Sequence, residues 1–159
     1  MRTRTVAVTA AAAAVAALIG WSAAPAGAHG ATLNLTTRTD QFAFVDGGAP
    51  GPSVGDQLVF SDKVSRDGTE IGVATSTCVM AKLSATTMTC TQVVTFALPD
   101  GQLTLQGLTE GPNRPPQPGE KFGFTLAVTG GTGAYRTARG DATGLDLAGG
   151  EERYTIRYW

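Results

Sequence analysis

Gln57-Leu58-Val59-Phe60-Ser61-Asp62-Lys63-Val64-Ser65 alternates apolar and polar residues, and Asp67-Gly68 separates it from a second such run, Thr69 to Leu83. A period of two places successive side chains on opposite faces of a strand. Asp-Gly between two such runs supplies the positive φ of a tight hairpin. The same pattern, rich in β-branched residues, recurs outward in both directions. It predicts strands over Thr32 to Val45 (interrupted), Gln57 to Ser65, Thr69 to Leu83, Thr87 to Leu98, Gln102 to Thr109, Lys121 to Thr129, Tyr135 to Asp146 and Glu152 to Trp159. No helical stripe stands out among them. Eight consecutive antiparallel strands can close into an up-and-down barrel, which removes exposed edges and leaves room for one small ligand. A two-sheet sandwich is the other architecture that this pattern allows. Asp46 to Asp56 and Glu110 to Glu120, rich in glycine and proline, are read as longer loops covering one end.

The composition fits one soluble domain. The chain has 159 residues, 42% of them hydrophobic and 16% charged, and its 21 glycines follow no collagen-like period. Residues 1–28 have the form of a secretory signal peptide: Arg2 and Arg4, an alanine-rich apolar run from Val6 to Ile19, and small residues at Ala26-Gly27-Ala28. That run is shorter than a bilayer span requires. Cleavage would leave 29–159 as the mature domain, starting at His29, secreted and without a membrane anchor. Losing Arg2 and Arg4 takes the formal net charge from −1 to −3 and leaves no basic block for a nucleic-acid backbone. His29 is the single histidine, so the folded domain lacks an imidazole for a Ser-His-Asp triad or a His-based zinc site.

Two cysteines, Cys78 and Cys90, remain in a chain bound for an oxidising compartment, where such a pair usually forms one disulfide. Set directly opposite each other in a hairpin, they would place Met80 opposite Met88 and Ser76 opposite Gln92, with the turn at Leu83 to Ala85. Alternation also puts Asp62 in the otherwise apolar row Leu58, Phe60, Val64. A lone carboxylate on such a face has a raised pKa unless a cation meets it. Continued through the Tyr135 strand, alternation sets Tyr135, Thr137, Arg139 and Asp141 on one face, so Arg139 is the cation expected to meet Asp62.

Gly55-Asp56-Gln57-Leu58-Val59-Phe60-Ser61-Asp62-Lys63 and Gly72-Val73-Ala74-Thr75-Ser76-Thr77-Cys78-Val79 resemble the allene oxide cyclase barrel family. Gly130-Gly131-Thr132-Gly133-Ala134-Tyr135-Arg136-Thr137-Ala138-Arg139-Gly140 is similar to the signature of the related dirigent proteins. The resemblance spans Thr32 to Trp159. It implies an eight-stranded antiparallel barrel around an apolar cavity, trimeric in many plant members. It also implies guided cyclisation of a reactive epoxide, or steered coupling of phenoxy radicals. Asp62 stands where the cyclases carry an asparagine, Ala134 where dirigent proteins often carry an aspartate, and Cys78 matches a cavity cysteine of the cyclases.

Together these readings name Asp62, Arg139 and Tyr135 as candidate catalytic residues. Phe60, Phe96, Phe122 and Phe124 are candidate ligand-binding aromatics, and Cys78 with Cys90 a disulfide. No metal and no organic cofactor is expected. The expected partners are a small hydrophobic or aromatic molecule and further copies of the chain, a trimer first. Three functions fit: an enzyme guiding cyclisation or coupling, a binding module without turnover, and a structural barrel plugged by its own side chains. The size of the cavity separates the last from the other two.

Overall fold

The computed structural model describes residues 30–159; the leader and His29 lie outside them. Eight strands follow in order: β1 (Ala31–Val45), β2 (Gln57–Arg66), β3 (Thr69–Leu83), β4 (Thr87–Leu98), β5 (Gly101–Pro112), β6 (Lys121–Gly131), β7 (Gly140–Leu147) and β8 (Glu151–Tyr158). Each pairs antiparallel with the next, and β8 returns to β1, closing the barrel. The sandwich is thereby excluded. The β2–β3 hairpin turns as expected, with Asp67 and Gly68 at φ 51° and 79°.

Four details bear on the expectation: the interruption of the first strand is met, and one register and two boundaries differ, each for a local reason. The interruption in the first strand is a bulge at Asp40, where the register against β2 shifts between Thr39 and Gln41. A bulge re-aims the side chains beyond it. Leu33, Leu35 and Thr37 are buried before it, and Phe42 stacks on Phe60 after it, with ring centroids 5.0 Å apart. In β3 a second irregularity lies between Met80 and Lys82, and the turn closes between Ser84 and Thr87, later than predicted. The register is therefore Met80 opposite Cys90 and Cys78 opposite Gln92, not Cys78 opposite Cys90. The two cysteines are diagonal neighbours, and they are joined by a disulfide at a Cα–Cα distance of 5.2 Å.

The third detail is the Tyr135 segment. Gly133–Tyr135 forms one 3-10 turn, and β7 starts only at Gly140. Gly131 explains why the chain can dive here, because an added Cβ would overlap the carbonyl oxygen of Gln102 on β5. Alternation thus has no meaning between Tyr135 and Arg139. Fourth, β5 runs longer than expected and carries its pairing with β4 to Pro112.

The barrel is filled at one end. Val64, Val94, Phe96, Leu103, Leu105 and Ile156 are all but inaccessible to solvent, and Tyr135 and Ala138 close that end from the β6–β7 connection. Phe96 and Phe124 both meet the ring of Tyr154 edge-on, at 5.1 and 5.6 Å between centroids. Such pairs add to the stabilisation gained from area burial alone. Tyr154 therefore marks the level at which the packed core ends.

Candidate functional site

Above Tyr154 the barrel is open. A cavity of about 620 Å³ is walled by Leu58 and Phe60 of β2, Met80 of β3, Cys90 of β4, Phe122 and Phe124 of β6, and Asp146 and Glu152 of β7 and β8. Its size is that of small-molecule sites in general, and a mostly apolar lining with a few polar groups is their usual composition. A barrel plugged throughout is excluded.

Two carboxyls share one wall, and Gln92 of β4 and Thr109 of β5 add polar groups elsewhere. Asp146 and Glu152 are register partners across β7 and β8, both turned inward, and Glu152 lies opposite Thr37 of β1. The Tyr154 hydroxyl donates a hydrogen bond to Glu152 Oε2. Asp62 is buried on β2 opposite Thr39 of β1, behind the residues that line the cavity. Burial pushes the Glu152 carboxyl up to about 7, against the hydrogen bond from Tyr154, and the Asp146 and Asp62 charges push the same way. Burial also carries Asp146 up to about 6 and raises Asp62, which the hydroxyl of Thr39 partly offsets. Burial raises the Tyr154 phenol too, reinforced by the charge of Glu152. Two facing carboxyls that release their protons near neutral pH make an acid and a base available in one apolar chamber. Among the described residues, no three His, Cys, Asp or Glu side chains come together as a metal-binding group.

The rim is held in shape. Asp56, fully buried, accepts hydrogen bonds from Gly47 N at 2.9 Å and Ser53 N at 2.6 Å, gathering the β1–β2 loop. Those donors, Gly47 foremost, keep its carboxyl below the usual range. Asn113 Nδ2 donates to the carbonyls of Ser84 and Ala85 at 2.9 and 3.0 Å, tying the β5–β6 loop to the β3–β4 turn. Arg114 binds both carboxylate oxygens of Glu120 and lies 5.7 Å over the Phe122 ring. The paired guanidinium lowers Glu120 to about 2.

Of the candidate catalytic residues, Asp62 faces inward as its strand pattern implies. Arg139 does not join it. Arg139 is exposed in the turn before β7, and its Nη1 donates to the carbonyl of Ala138 at 2.7 Å. Tyr135 is buried, but at the filled end beside Tyr158, at 5.7 Å between ring centroids. Asp141, assigned to the same face, points outward toward Arg157. Phe60, Phe122 and Phe124 line the cavity, whereas Phe96 lies beneath it in the packed core. Cys78 and Cys90 line it as a disulfide. Asp146, Glu152 and Tyr154 escaped the sequence reading. Their signal was the one that found Asp62: Glu152 starts the alternating row Glu152, Tyr154, Ile156, an acid in an apolar series.

No curated protein matches the sequence. Among solved structures, the chain is similar to one named pyocyanin demethylase, at 31% identity over 81% of this chain and 100% of that one, with a TM-score of 0.68. The Diels-Alderase AbmU from Streptomyces koyangensis superposes with a TM-score of 0.59 at 18% identity, over 82% of this chain and 63% of that chain. AbnU, described as an exo-specific intermolecular Diels-Alderase, gives 0.58 at 13% identity, over 81% of this chain and 97% of that one. At such identities the last two show the shared fold. Residues 31–156 match the allene oxide cyclase barrel-like domain, and the chain belongs to that family.

Proposed function

We propose that the open half of the barrel binds a flat, largely apolar aromatic molecule and relocates a proton on it without a cofactor, as in a tautomerisation or a guided ring closure. The observation that carries this reading is the Asp146–Glu152 pair, two facing carboxyls with raised pKa values on one wall of an aromatic-lined cavity. Near neutral pH one carboxyl of the pair donates while the other accepts, and Tyr154 holds Glu152 in place. The apolar walls fix which face of the ring system meets them. Asp62, buried on β2 behind the lining, acts on Glu152 through its charge. Arg139 and Tyr135 take no part in this reading, because they lie outside the cavity. The similarity to a pyocyanin demethylase supports an aromatic ligand.

The test is incubation of the purified protein with pyocyanin and no added cofactor, following the absorbance change of an isomerised ring system at unchanged mass. Turnover that falls at least a hundredfold in Glu152→Gln, with binding retained, is expected. Unchanged turnover in that variant overturns the acid–base assignment. Failure to bind either pyocyanin or acridine overturns the aromatic-ligand reading itself.

We also propose that the protein is secreted after cleavage behind Ala28. The three-part leader supports this, as does a disulfide of the kind that persists in oxidising compartments. An intact mass starting at His29 is the expected result. Among the described residues no helix is long and apolar enough to cross a membrane.

A further inference from the structure

Phe124, Gly144 and Tyr154 form one cross-strand row at the cavity floor: Phe124 pairs with Gly144, and Gly144 pairs with Tyr154. Gly144 is buried and faces inward. Its backbone needs no positive φ, so conformational freedom does not account for a glycine at this position. Space does. A Cβ added to Gly144 would overlap Cζ and Cε2 of the Phe124 ring and lie 2.8 Å from Cε1. The ring lies flat over the bare Cα, with its other neighbour the ring of Tyr154.

We infer that Gly144 is a specificity-determining residue: by letting Phe124 lie down against β7, it sets the depth of the cavity and admits a ligand of several fused rings to the carboxyl row. The row Phe122, Asp146, Glu152 lies one inward step toward the mouth from Phe124, Gly144, Tyr154. Below Phe124 the next inward pair is Leu126 with Ala142, both buried in the close-packed core. Tyr154 blocks the sideways path. A ring displaced from Gly144 therefore has the cavity as its free volume, and rising there it would stand before Asp146 and Glu152. The inference rests on the aromatic-ligand reading above and names its size class.

Gly144→Ala tests it, with acridine as a three-ring probe and quinoline as a two-ring probe, both followed by fluorescence titration. Alanine should weaken acridine at least tenfold and quinoline less than threefold. Phe124→Ala added to Gly144→Ala removes the displaced ring, so the double variant should bind acridine within threefold of Phe124→Ala alone. Equal binding of acridine by Gly144→Ala and the original protein overturns the inference, and so does a double variant at least tenfold weaker than Phe124→Ala alone. Should the original protein bind neither probe, the ligand reading fails and the depth claim is decided by a crystal structure of Gly144→Ala. A Phe124 ring raised into the cavity sustains it, and a ring in place over a shifted β7 refutes it.

Discussion

Glu152 is held between opposing demands. Burial favours its neutral form, while the hydroxyl of Tyr154 favours the charged one, and burial prevails. The linkage has a definite sign: a carboxyl protonated more readily in the folded chain than in the unfolded one stabilises the fold below its ordinary range, and that contribution is lost as pH rises through the folded value. With Glu152 near 7 and Asp146 near 6, the melting temperature should fall between about pH 4.5 and pH 7. Glu152→Gln should flatten the upper part of that descent, a difference of about 3 kcal/mol by the usual conversion. Thermal scans across pH would show it, and identical slopes in both proteins would remove the assignment. Asp62 gives a separate expectation. Because Arg139 lies elsewhere, neutralising Asp62 strands no cation, so Asp62→Asn should leave the melting temperature at pH 7 unchanged or raised while lowering turnover. A loss of several degrees would reveal a pairing partner for Asp62.

At the scale of elements, the β3–β4 hairpin shows how far pattern carries. The side-chain period sorts the residues of β3 and β4 into two faces and sets Cys78 and Cys90 on the same one. It did not tell which face each other directly, because register depends on turn position and on the bulge past Met80, and a single inserted residue carries no periodic trace. The bridge survives the slip because diagonal neighbours on one face are still close. For a loop of this length the chain-entropy model gives about 3 kcal/mol. Cys78→Ser should then lower the melting temperature by on the order of 10 °C, and mass spectrometry with and without reductant should show a two-hydrogen difference in the original protein. Two thiols open to alkylation before reduction would reject the bridge. The Arg139 misplacement has a related origin. Alternation starts at Tyr135 in the sequence reading, whereas the chain makes a 3-10 turn at Gly133–Tyr135 and its strand starts only at Gly140, so the faces assigned between them have no strand behind them. Asp146 and Glu152 were legible by the same alternation within β7 and β8, but their meeting across the hairpin needed the register.

For the molecule as a whole, the outer wall matters as much as the lumen. Val79, Thr91 and Leu108 form one row across β3, β4 and β5, and Val93 lies beside it; all three apolar members are exposed, Leu108 at 68%. Such a patch on a closed barrel suits contact between copies, and the expected trimer would use it. Val93→Glu with Leu108→Glu should yield a monomer by light scattering, with the inner cavity intact. An original protein that is already monomeric at micromolar concentration would end that argument. The uneven filling of the lumen has a consequence for time as well as space. With Tyr135 and Ala138 closing one end, the described residues form a blind well and not a tunnel. Under the proposed function, whatever reaches the acids would leave by the way it came, so product would depart before the next molecule descends and a long guest could not reverse inside. The choice of which end reacts would then be made at the rim, before any chemistry, by the end that goes in first.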